Sequence, residues 1–260
     1  MIYPGSNFLL EHKQKRIKFD GELKQITLPD RRVYRRGEGL YYPSVTTILQ
    51  YMPKNKFFEQ WIKDVGHNAD LIMRRAGEEG TAVHNAAEEL IKGGEVQWMD
   101  DYGKAKYSLL VWQMINKFVD AWKTMAPEVI ATEEFTFSDV HKYAGTADII
   151  AKIGDEVWLL DIKTSNSLHK SHELQLSAYA KAWEEMYGQK IDRTGIIWLK
   201  STKRTTSSKD GAFQGKGWEL KVIDKIDENF ELFQLIYKLY LLEHPADEPS
   251  FQTYPLSVKL

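Results

Sequence analysis

Two apolar strands joined by a very short turn constrain this fold more than any other feature of the sequence. Residues 145–164 read GTADIIAKIGDEVWLLDIKT, and both halves of this stretch are rich in β-branched and aromatic residues. Only Gly154 and Asp155 separate the two runs, and a Gly-first pair of this kind suits a two-residue hairpin turn. The sequence therefore predicts an antiparallel hairpin in which Ile153 pairs with Glu156.

Three charged side chains interrupt these apolar strands, namely Asp148, Asp161 and Lys163. Pairing Ile153 with Glu156 places Asp148 directly opposite Asp161, and because side chains alternate along a strand, Lys163 is expected on the same face. Two facing carboxylates repel each other. Either a divalent cation such as Mg²⁺ or Mn²⁺ offsets this repulsion, or Lys163 forms a structural ion pair with one aspartate while the other stays in solvent. The hairpin alone leaves both interpretations open.

The composition excludes several classes of chemistry. Cysteine is absent from the 260 residues, which excludes disulfides, thiolate zinc sites, iron–sulfur clusters and cysteine nucleophiles. Lys and Arg total 35 against 37 Asp and Glu, so a polyanionic partner would have to be met by local basic patches. No segment resembles a signal peptide or approaches 18 consecutive apolar residues. We therefore expect a soluble, cytoplasmic protein with no membrane partner.

The spacing of apolar residues changes near Pro127 from a helical pattern to a strand pattern. The predicted helices are a short one capped by Ser44, the segment NKFFEQWIKDVG, residues 68–92, 104–125 and 171–187, and a last helix DENFELFQLIYKLYLLE. The predicted strands are residues 129–137, 143–153 and 156–163, the segment GIIWLK, and residues 218–223. This order predicts an α/β fold with a mixed central β-sheet flanked by helices and an N-terminal helical region.

We expect the 260 residues to form one domain. In this prediction residues 1–127 contain a polar ribbon, with a turn near residues 29–30, and the helical region. Residues 128–225 form the sheet core, and residues 226–260 form a C-terminal helix and tail. The most linker-like segment is residues 201–217, which is rich in Ser, Thr, Lys and Gly.

Two helical segments carry polar residues that could join the aspartates. Gln175 and Tyr179 are four residues apart and so lie on one face of their helix, where the alternative is a packing Tyr beside a surface Gln. His84 lies in GTAVHNAAEEL, on a helix whose apolar side includes Val83 and Leu90. A lone helical His is more often structural than a metal ligand, and the pattern itself leaves both interpretations open.

Taken together, four motifs resemble those of the PD-(D/E)XK nucleases, specifically the RecB-like branch that includes phage and mitochondrial genome-maintenance exonucleases. The motifs are GTAVH at 80–84, GTAD at 145–148, DIK at 161–163 and QLSAY at 175–179. The segment YPSVTTIL at 42–49 is also similar to the N-terminal part of that branch. Ala147 stands where the family usually has Pro, a change that is common in this branch. The absence of cysteine makes the chain similar to the members without an iron–sulfur cluster.

The resemblance implies a restriction-endonuclease-like core and a Mg²⁺- or Mn²⁺-dependent deoxyribonuclease, expected to be an exonuclease that acts on free or single-stranded ends. The implied metal ligands are His84, Asp148, Asp161 and the backbone carbonyl of Ile162. The implied catalytic residues are Asp148, Asp161, Lys163, Gln175 and Tyr179. A divalent cation would polarise the phosphodiester and lower the pKa of bound water, and Lys163 would orient that water or stabilise developing charge. The resemblance also implies a role in a phage or in DNA repair and recombination. Replication or recombination proteins would then be the partners.

Two basic segments and one hydroxyl-rich segment are candidate DNA contacts. They are Arg31, Arg32, Arg35 and Arg36; Lys200, Lys203, Arg204 and Lys209; and Ser44, Thr46 and Thr47. The alternative for the two basic segments is a charged surface that only contacts solvent. The alternative for Ser44 is that it only caps a helix.

Two rival functions share the same fold. One is a nuclease fold that holds nucleic acid or a partner protein without cutting, which would be expected to have lost an Asp or the Lys. The other is a sequence-specific restriction endonuclease, for which the sequence shows no recognition element.

Overall fold

The computed structural model describes residues 15–19, 25–27, 31–37, 40–54, 56–201, 213–244, 250–254 and 257–259. The helices in these ranges are α1 (Val45–Ile48), α2 (Lys56–Val65), α3 (Ala69–Ile91), α4 (Leu109–Met125), α5 (Lys170–Tyr187) and α6 (Ile226–Glu243). The strands are β1 (Lys15–Phe19), β2 (Gln25–Thr27), β3 (Arg32–Gly37), β4 (Leu40–Pro43), β5 (Glu128–Ser138), β6 (Tyr143–Ile153), β7 (Glu156–Lys163), β8 (Arg193–Trp198), β9 (Gln214–Gly215), β10 (Trp218–Ile223) and β11 (Ser250–Tyr254). None of the described helices has the length and apolar character needed to cross a lipid bilayer.

A six-stranded mixed sheet forms the centre of the fold, in the order β5-β6-β7-β8-β10-β9. Every neighbouring pair is antiparallel except β7 and β8, which are parallel. A parallel pair needs a crossover connection, and α5 provides it. The predicted mixed sheet is confirmed.

Helices cover both faces of this sheet. On one face, α1, α5 and α6 pack around a cluster that includes Tyr143, Leu159 and Phe233. On the other face, α3 and α4 pack around a cluster that includes Met114, Phe118 and Leu160. Because both faces are apolar and covered, the central strands contain nearly continuous runs of hydrophobic residues.

Two smaller sheets accompany the central one. Strands β2, β3 and β4 form an antiparallel sheet, and β1 pairs with β11 in parallel. The predicted ribbon therefore exists as β2 and β3, although its turn lies outside the described residues. Ser44, directly after β4, forms an isolated bridge to Ala144 of β6, and this contact places α1 against the central sheet.

The predicted register of the central hairpin is confirmed. The pairs run from Ile153 with Glu156 to Ile149 with Leu160, and Gly154 adopts a left-handed φ of 62° in the turn. Glycine adopts this conformation without the steric cost that a Cβ atom brings. The pairing of β6 with β7 ends at Ile149 and Leu160. Asp148 and Asp161, which were expected to face each other, lie one step beyond this last pair.

Alternation of side chains along β6 is interrupted near Asp148. Ala147 and Ile150 both pack in the cluster beneath α5, whereas Ile149 packs in the cluster beneath α3 and α4. Strict alternation would place Ala147 and Ile150 on opposite faces. Glu133, which the β5–β6 register places opposite Asp148, has a φ of 49°, an uncommon conformation for a residue with a side chain. The prediction that Asp148 shares one regular strand face with Asp161 and Lys163 therefore fails at Asp148.

Two predicted boundaries also differ. Helix α4 begins at Leu109 rather than near residue 104, because the Ser108 hydroxyl accepts a hydrogen bond from the Val111 amide and so caps the helix. Residues before this cap instead form a tight loop closed by a bridge between Met99 and Ala105. The linker-like segment ends in β9, which pairs with β10 at the edge of the sheet.

Candidate active site

Three side chains that could hold a metal ion converge from α3, β5 and β6. They are His84, Glu133 and Asp148, each of which offers one ligand atom within 4.8 Å of the others. Nδ1 of His84 lies 3.3 Å from Oδ2 of Asp148. All three side chains are partly exposed, so an ion from solvent can reach them. Nitrogen and carboxylate oxygen are donors suited to divalent cations.

The backbone of Ile162 holds this group in place. Its N–H donates to Oδ2 of Asp148 over 2.9 Å, and its carbonyl oxygen accepts from Nε2 of His84 over 2.9 Å. Because a carbonyl can only accept, the proton of a neutral His84 lies on Nε2, and Nδ1 keeps its lone pair. That lone pair faces Asp148, and an unprotonated nitrogen is what a metal ligand must offer.

The Asp161 carboxylate contacts a different set of residues. The Lys163 ammonium lies 3.0 Å from its Oδ1 and 2.8 Å from its Oδ2, and the Gln175 amide approaches Oδ1 at 3.4 Å. Only 3% of the Asp161 side chain is exposed. Although Lys163 is close, Oδ2 makes no well-aligned hydrogen bond within the described part of the chain. A buried carboxylate oxygen left in this way can accept a further positive ligand.

Helix α5 supplies the residues that support Lys163. Oε1 of Gln175 lies 3.4 Å from the Lys163 ammonium, and Nε2 of Gln175 donates to the Tyr179 hydroxyl over 3.1 Å. The Tyr179 ring lies directly against the backbone of Gly145, where a Cβ atom would overlap the ring. The first residue of the GTAD motif is thus a glycine because the aromatic ring occupies the space of a side chain.

Burial and the neighbouring charges shift the pKa values of the groups in this site. Burial alone would lower the pKa of Lys163, but the neighbouring charges of Asp161 and Asp148 outweigh it and raise this pKa, so the ammonium form is retained. Burial raises the pKa of Asp161, opposed by Lys163. Burial and, second, the charge of Asp148 raise the pKa of Glu133 to about 7. Negative charge is therefore in excess where His84, Glu133 and Asp148 meet, which favours a cation.

The structure brings together most of the residues expected from sequence. His84, Asp148 and the Ile162 backbone lie together on the α3 side, and Asp161, Lys163, Gln175 and Tyr179 form a connected chain of contacts on the α5 side. The ion-pair interpretation of the hairpin holds for one aspartate only. Lys163 does pair with Asp161, but Asp148 is not left in solvent, with only 12% of its side chain exposed.

Glu133 is the residue that sequence reasoning missed. Two adjacent glutamates occur in β5, and strand alternation sends them to opposite faces: Glu134 accepts from the Tyr187 hydroxyl, whereas Glu133 faces His84 and Asp148. The usable signal is the β5–β6 register, in which Thr132 pairs with Ile149 and so brings Glu133 opposite Asp148.

The expected DNA contacts in the N-terminal ribbon are already engaged within the protein. Arg36 donates to both carboxylate oxygens of Asp139, over 2.9 and 2.8 Å, and lies over the Phe137 ring. Nε of Arg35 approaches the Gly37 carbonyl at 3.4 Å. A phosphate would have to compete with Asp139 for Arg36. Lys203 and Arg204 lie outside the described residues.

The hydroxyl-rich segment is largely internal. Ser44 and Thr47 are buried; the Ser44 hydroxyl caps α1 by accepting from the Thr47 amide, and the Thr47 hydroxyl bonds to the backbone of Arg32. These two hydroxyls are not available to a DNA backbone. Thr46 is more exposed, and its hydroxyl lies 2.9 Å from that of Ser44.

The family model of the PD-(D/E)XK nuclease superfamily matches residues 56–255, which is most of the chain. The chain belongs to this superfamily. Among solved structures, a crystal structure of a protein from Eubacterium rectale named "Putative exonuclease" is similar, with a TM-score of 0.40 and 12% identity. The match covers 67% of this chain and 70% of that chain. No curated protein matches the sequence significantly.

Membership in a nuclease superfamily accounts for the convergence of acidic residues. Enzymes of this superfamily hydrolyse nucleic acids with divalent metal ions, and the donor set fits such an ion on three counts. The ligand atoms are hard oxygen and imidazole nitrogen, one buried oxygen of Asp161 lacks an aligned donor among the described residues, and the pKa of Glu133 is raised to about 7. Binding of a cation would relieve the last two of these features, which are unfavourable in its absence.

The raised pKa of Glu133 predicts a pH effect on the metal-free protein. An unfolded Glu titrates near about 4.3, so between that value and about 7 the folded protein holds the extra proton. Stability contributed by this group is therefore complete below about pH 4.3 and is lost as pH rises through about 7. We expect urea unfolding in EDTA to show that wild type loses stability relative to Glu133→Gln over this range. Parallel curves for the two proteins would contradict the assigned environment of Glu133.

Proposed function

We propose that this nuclease is a Mg²⁺- or Mn²⁺-dependent deoxyribonuclease of the RecB-like branch without an iron–sulfur cluster, and that it acts as an exonuclease on free or single-stranded ends. The observation that carries the proposal is the position of the His84–Glu133–Asp148 group beside the buried pair of Asp161 and Lys163. Metal-ligating groups and a fixed ammonium at one end of a rigid sheet are what phosphodiester hydrolysis requires.

The protein's own residues have distinct parts in this mechanism. His84, Glu133 and Asp148 would hold the first metal ion, and Asp161 is placed to share it or to hold a second. When bound, the metal supplies Lewis acidity to the phosphodiester and a water of lowered pKa. Lys163 keeps its proton and places a positive charge where negative charge develops on the phosphate.

Gln175 and Tyr179 act through Lys163. The Gln175 amide contacts both members of the Asp161–Lys163 pair, and Tyr179 fixes the amide by accepting its N–H. Tyr179 is itself fixed against Gly145. Both are thus positioning residues, because they restrict the rotamer of the ammonium rather than reach the substrate.

Cleavage assays on defined DNA forms test this proposal. End-labelled linear single strands, linear duplex and covalently closed circles would be incubated with Mg²⁺, Mn²⁺ or EDTA. We expect linear single strands to be shortened from an end with either cation, circles to persist and EDTA to stop all cleavage. Full activity in EDTA would contradict the metal site, and rapid cutting of closed circles would contradict the exonuclease assignment.

If the protein is a binding module without catalytic activity, the same samples should give a different result. The expected result is retention of labelled DNA in a gel shift with no cleavage under any metal condition. Asp148→Asn provides the matched control, since it should make an active wild-type protein behave in this way. We favour catalysis because Asp148, Asp161 and Lys163 are all present and their contacts are intact.

A further inference from the structure

His172 lies in the first turn of α5, close to the catalytic pair of Asp161 and Lys163. It precedes Gln175 by three residues, and residues three apart lie on the same face of a helix. Gln175 contacts both members of the pair. The imidazole of His172 is near enough to the pair for the charges of both residues to act on it. The face of α5 that supports Lys163 therefore also presents His172 to the site.

The start of α5 fixes the orientation of this imidazole. The backbone N–H of His169 donates to Nδ1 of His172 over 3.3 Å, and this bond is one half of a capping box. The two histidine rings also meet edge to face, with ring centroids 5.6 Å apart. Because Nδ1 accepts a hydrogen bond, the proton of a neutral His172 lies on Nε2. One nitrogen is thus committed to the fold, and the other is defined as a donor.

The donor nitrogen of His172 has no role in the fold. Nε2 makes no hydrogen bond to any residue that the structure describes, and the side chain is partly exposed. Burial and, second, the charge of Lys163 lower the pKa of His172 to about 4. The imidazole is therefore neutral at neutral pH, and its N–H can donate to an anion without placing a second positive charge beside Lys163.

We infer that His172 binds the substrate, and that its Nε2–H donates a hydrogen bond to a non-bridging oxygen of the phosphodiester that is cleaved. This inference rests on the proposed deoxyribonuclease function. The metal-ligating group lies on the α3 side of the site, whereas His172 and Lys163 approach from the α5 side. A phosphate between them would meet a cation on one side and two N–H donors on the other. Fixed donors of this kind, a neutral imidazole included, stabilise the negative charge that develops in the transition state.

Two substitutions at position 172 separate the two nitrogens. His172→Asn places an amide oxygen near the position of Nδ1 and no group at the position of Nε2, so it keeps the cap and loses the donor. His172→Gln is one methylene longer and offers both an oxygen for the cap and an amide nitrogen that reaches toward the substrate. We expect His172→Asn to lower the single-turnover rate by roughly 10- to 150-fold, the effect of losing one hydrogen bond to a charged group. His172→Gln should retain most of the rate.

Melting temperature and Mn²⁺ titration show whether the loss is structural. Both should be close to wild type in His172→Asn, because the cap is kept and the metal-ligating atoms belong to other residues. His67→Asn is the matched control, because His67 is an exposed histidine in the short turn between α2 and α3. This control should cleave DNA at the wild-type rate.

Phosphorothioate substrates test the contact itself. Sulfur accepts hydrogen bonds poorly, so sulfur in place of the contacted oxygen should abolish the difference in rate between wild type and His172→Asn. We expect this for one diastereomer of a phosphorothioate at the cleaved linkage, while the other diastereomer keeps the difference. The assignment is overturned if His172→Asn cleaves at the wild-type rate, if it is slowed equally on every substrate, or if His172→Gln is slowed as much. If wild type cleaves none of the substrates with Mg²⁺ or Mn²⁺, the nuclease proposal itself fails, and the role of His172 with it.

Discussion

Lys163→Ala should lower the single-turnover rate of DNA cleavage by roughly 10²- to 10³-fold, the loss typical when one preorganised charge donor is removed from an active site. Binding of Mn²⁺ should persist, because the ammonium contacts Asp161 and Gln175, whereas the clustered metal-ligating atoms belong to His84, Glu133 and Asp148. Removal of one positive charge also favours the cation electrostatically. Rapid-quench kinetics beside isothermal titration with Mn²⁺ would measure both quantities.

Asp148→Ala is the counterpart of this experiment. It removes a candidate ligand that lies beside Nδ1 of His84 and accepts from the Ile162 amide, so both Mn²⁺ binding and cleavage should be lost. Because Lys163→Ala leaves Asp161 buried without its partner, the melting temperature of each variant must be recorded with and without Mn²⁺. A folded Lys163→Ala protein that cuts at the wild-type rate, or that loses its metal as Asp148→Ala does, would show that the lysine has another role.

Gly145→Ala should destabilise the protein by about 1–3 kcal/mol, since overpacking of a filled site typically costs this much. The added Cβ atom would overlap the buried Tyr179 ring, and the strand and helix that carry these residues are both central to the fold. For a chain of this length the melting temperature should fall by roughly 2–4 °C per kcal/mol. Thermal unfolding in EDTA would measure the change without a contribution from bound metal.

Two further variants make this prediction specific. In a Tyr179→Leu background the ring is gone, so Gly145→Ala should cost much less, and the double-mutant cycle should give a clear coupling energy. Gly77→Ala is the matched control: Gly77 is exposed within α3 with no atom near the added Cβ, and the change should stabilise the helix by about 1 kcal/mol. Equal loss of stability in Gly145→Ala with and without the ring would locate the strain elsewhere.

Periodicity and turn chemistry sufficed to predict the six α-helices, the five longer strands of the central sheet and the hairpin register. The Gly154–Asp155 turn is local, and a two-residue connection leaves one register for the strands it joins. The same reasoning predicted α5 as the helix that carries Gln175 and Tyr179 on one face, and in the structure Gln175 contacts both Lys163 and Tyr179. Local sequence determines these features because neighbouring residues alone enforce them.

Features that depend on β5, the strand next to the hairpin, could not be predicted by the same reasoning. The left-handed Glu133 lies in β5, and the break in alternation at Asp148 lies in β6, so neither can be found from the hairpin of β6 and β7 alone. The grouping of Glu133 with His84 and Asp148, and the turn of Asp161 toward Lys163, also depend on this tertiary geometry. Burial of Ser44 and Thr47 arises in the same way, from the contact between the residues after β4 and the central sheet.

The parallel pairing of β7 with β8 means that the candidate site can be completed only late in the synthesis of the chain. Asp161 and Ile162 pair with Ile196 and Ile197, which leave the ribosome more than thirty residues later, after the whole of α5. Until then β7, the strand that carries Asp161 and Lys163, has an open edge on the side where β8 will pair. A ribosome-bound fragment ending before β8 thus holds every acidic ligand and still lacks a fixed site.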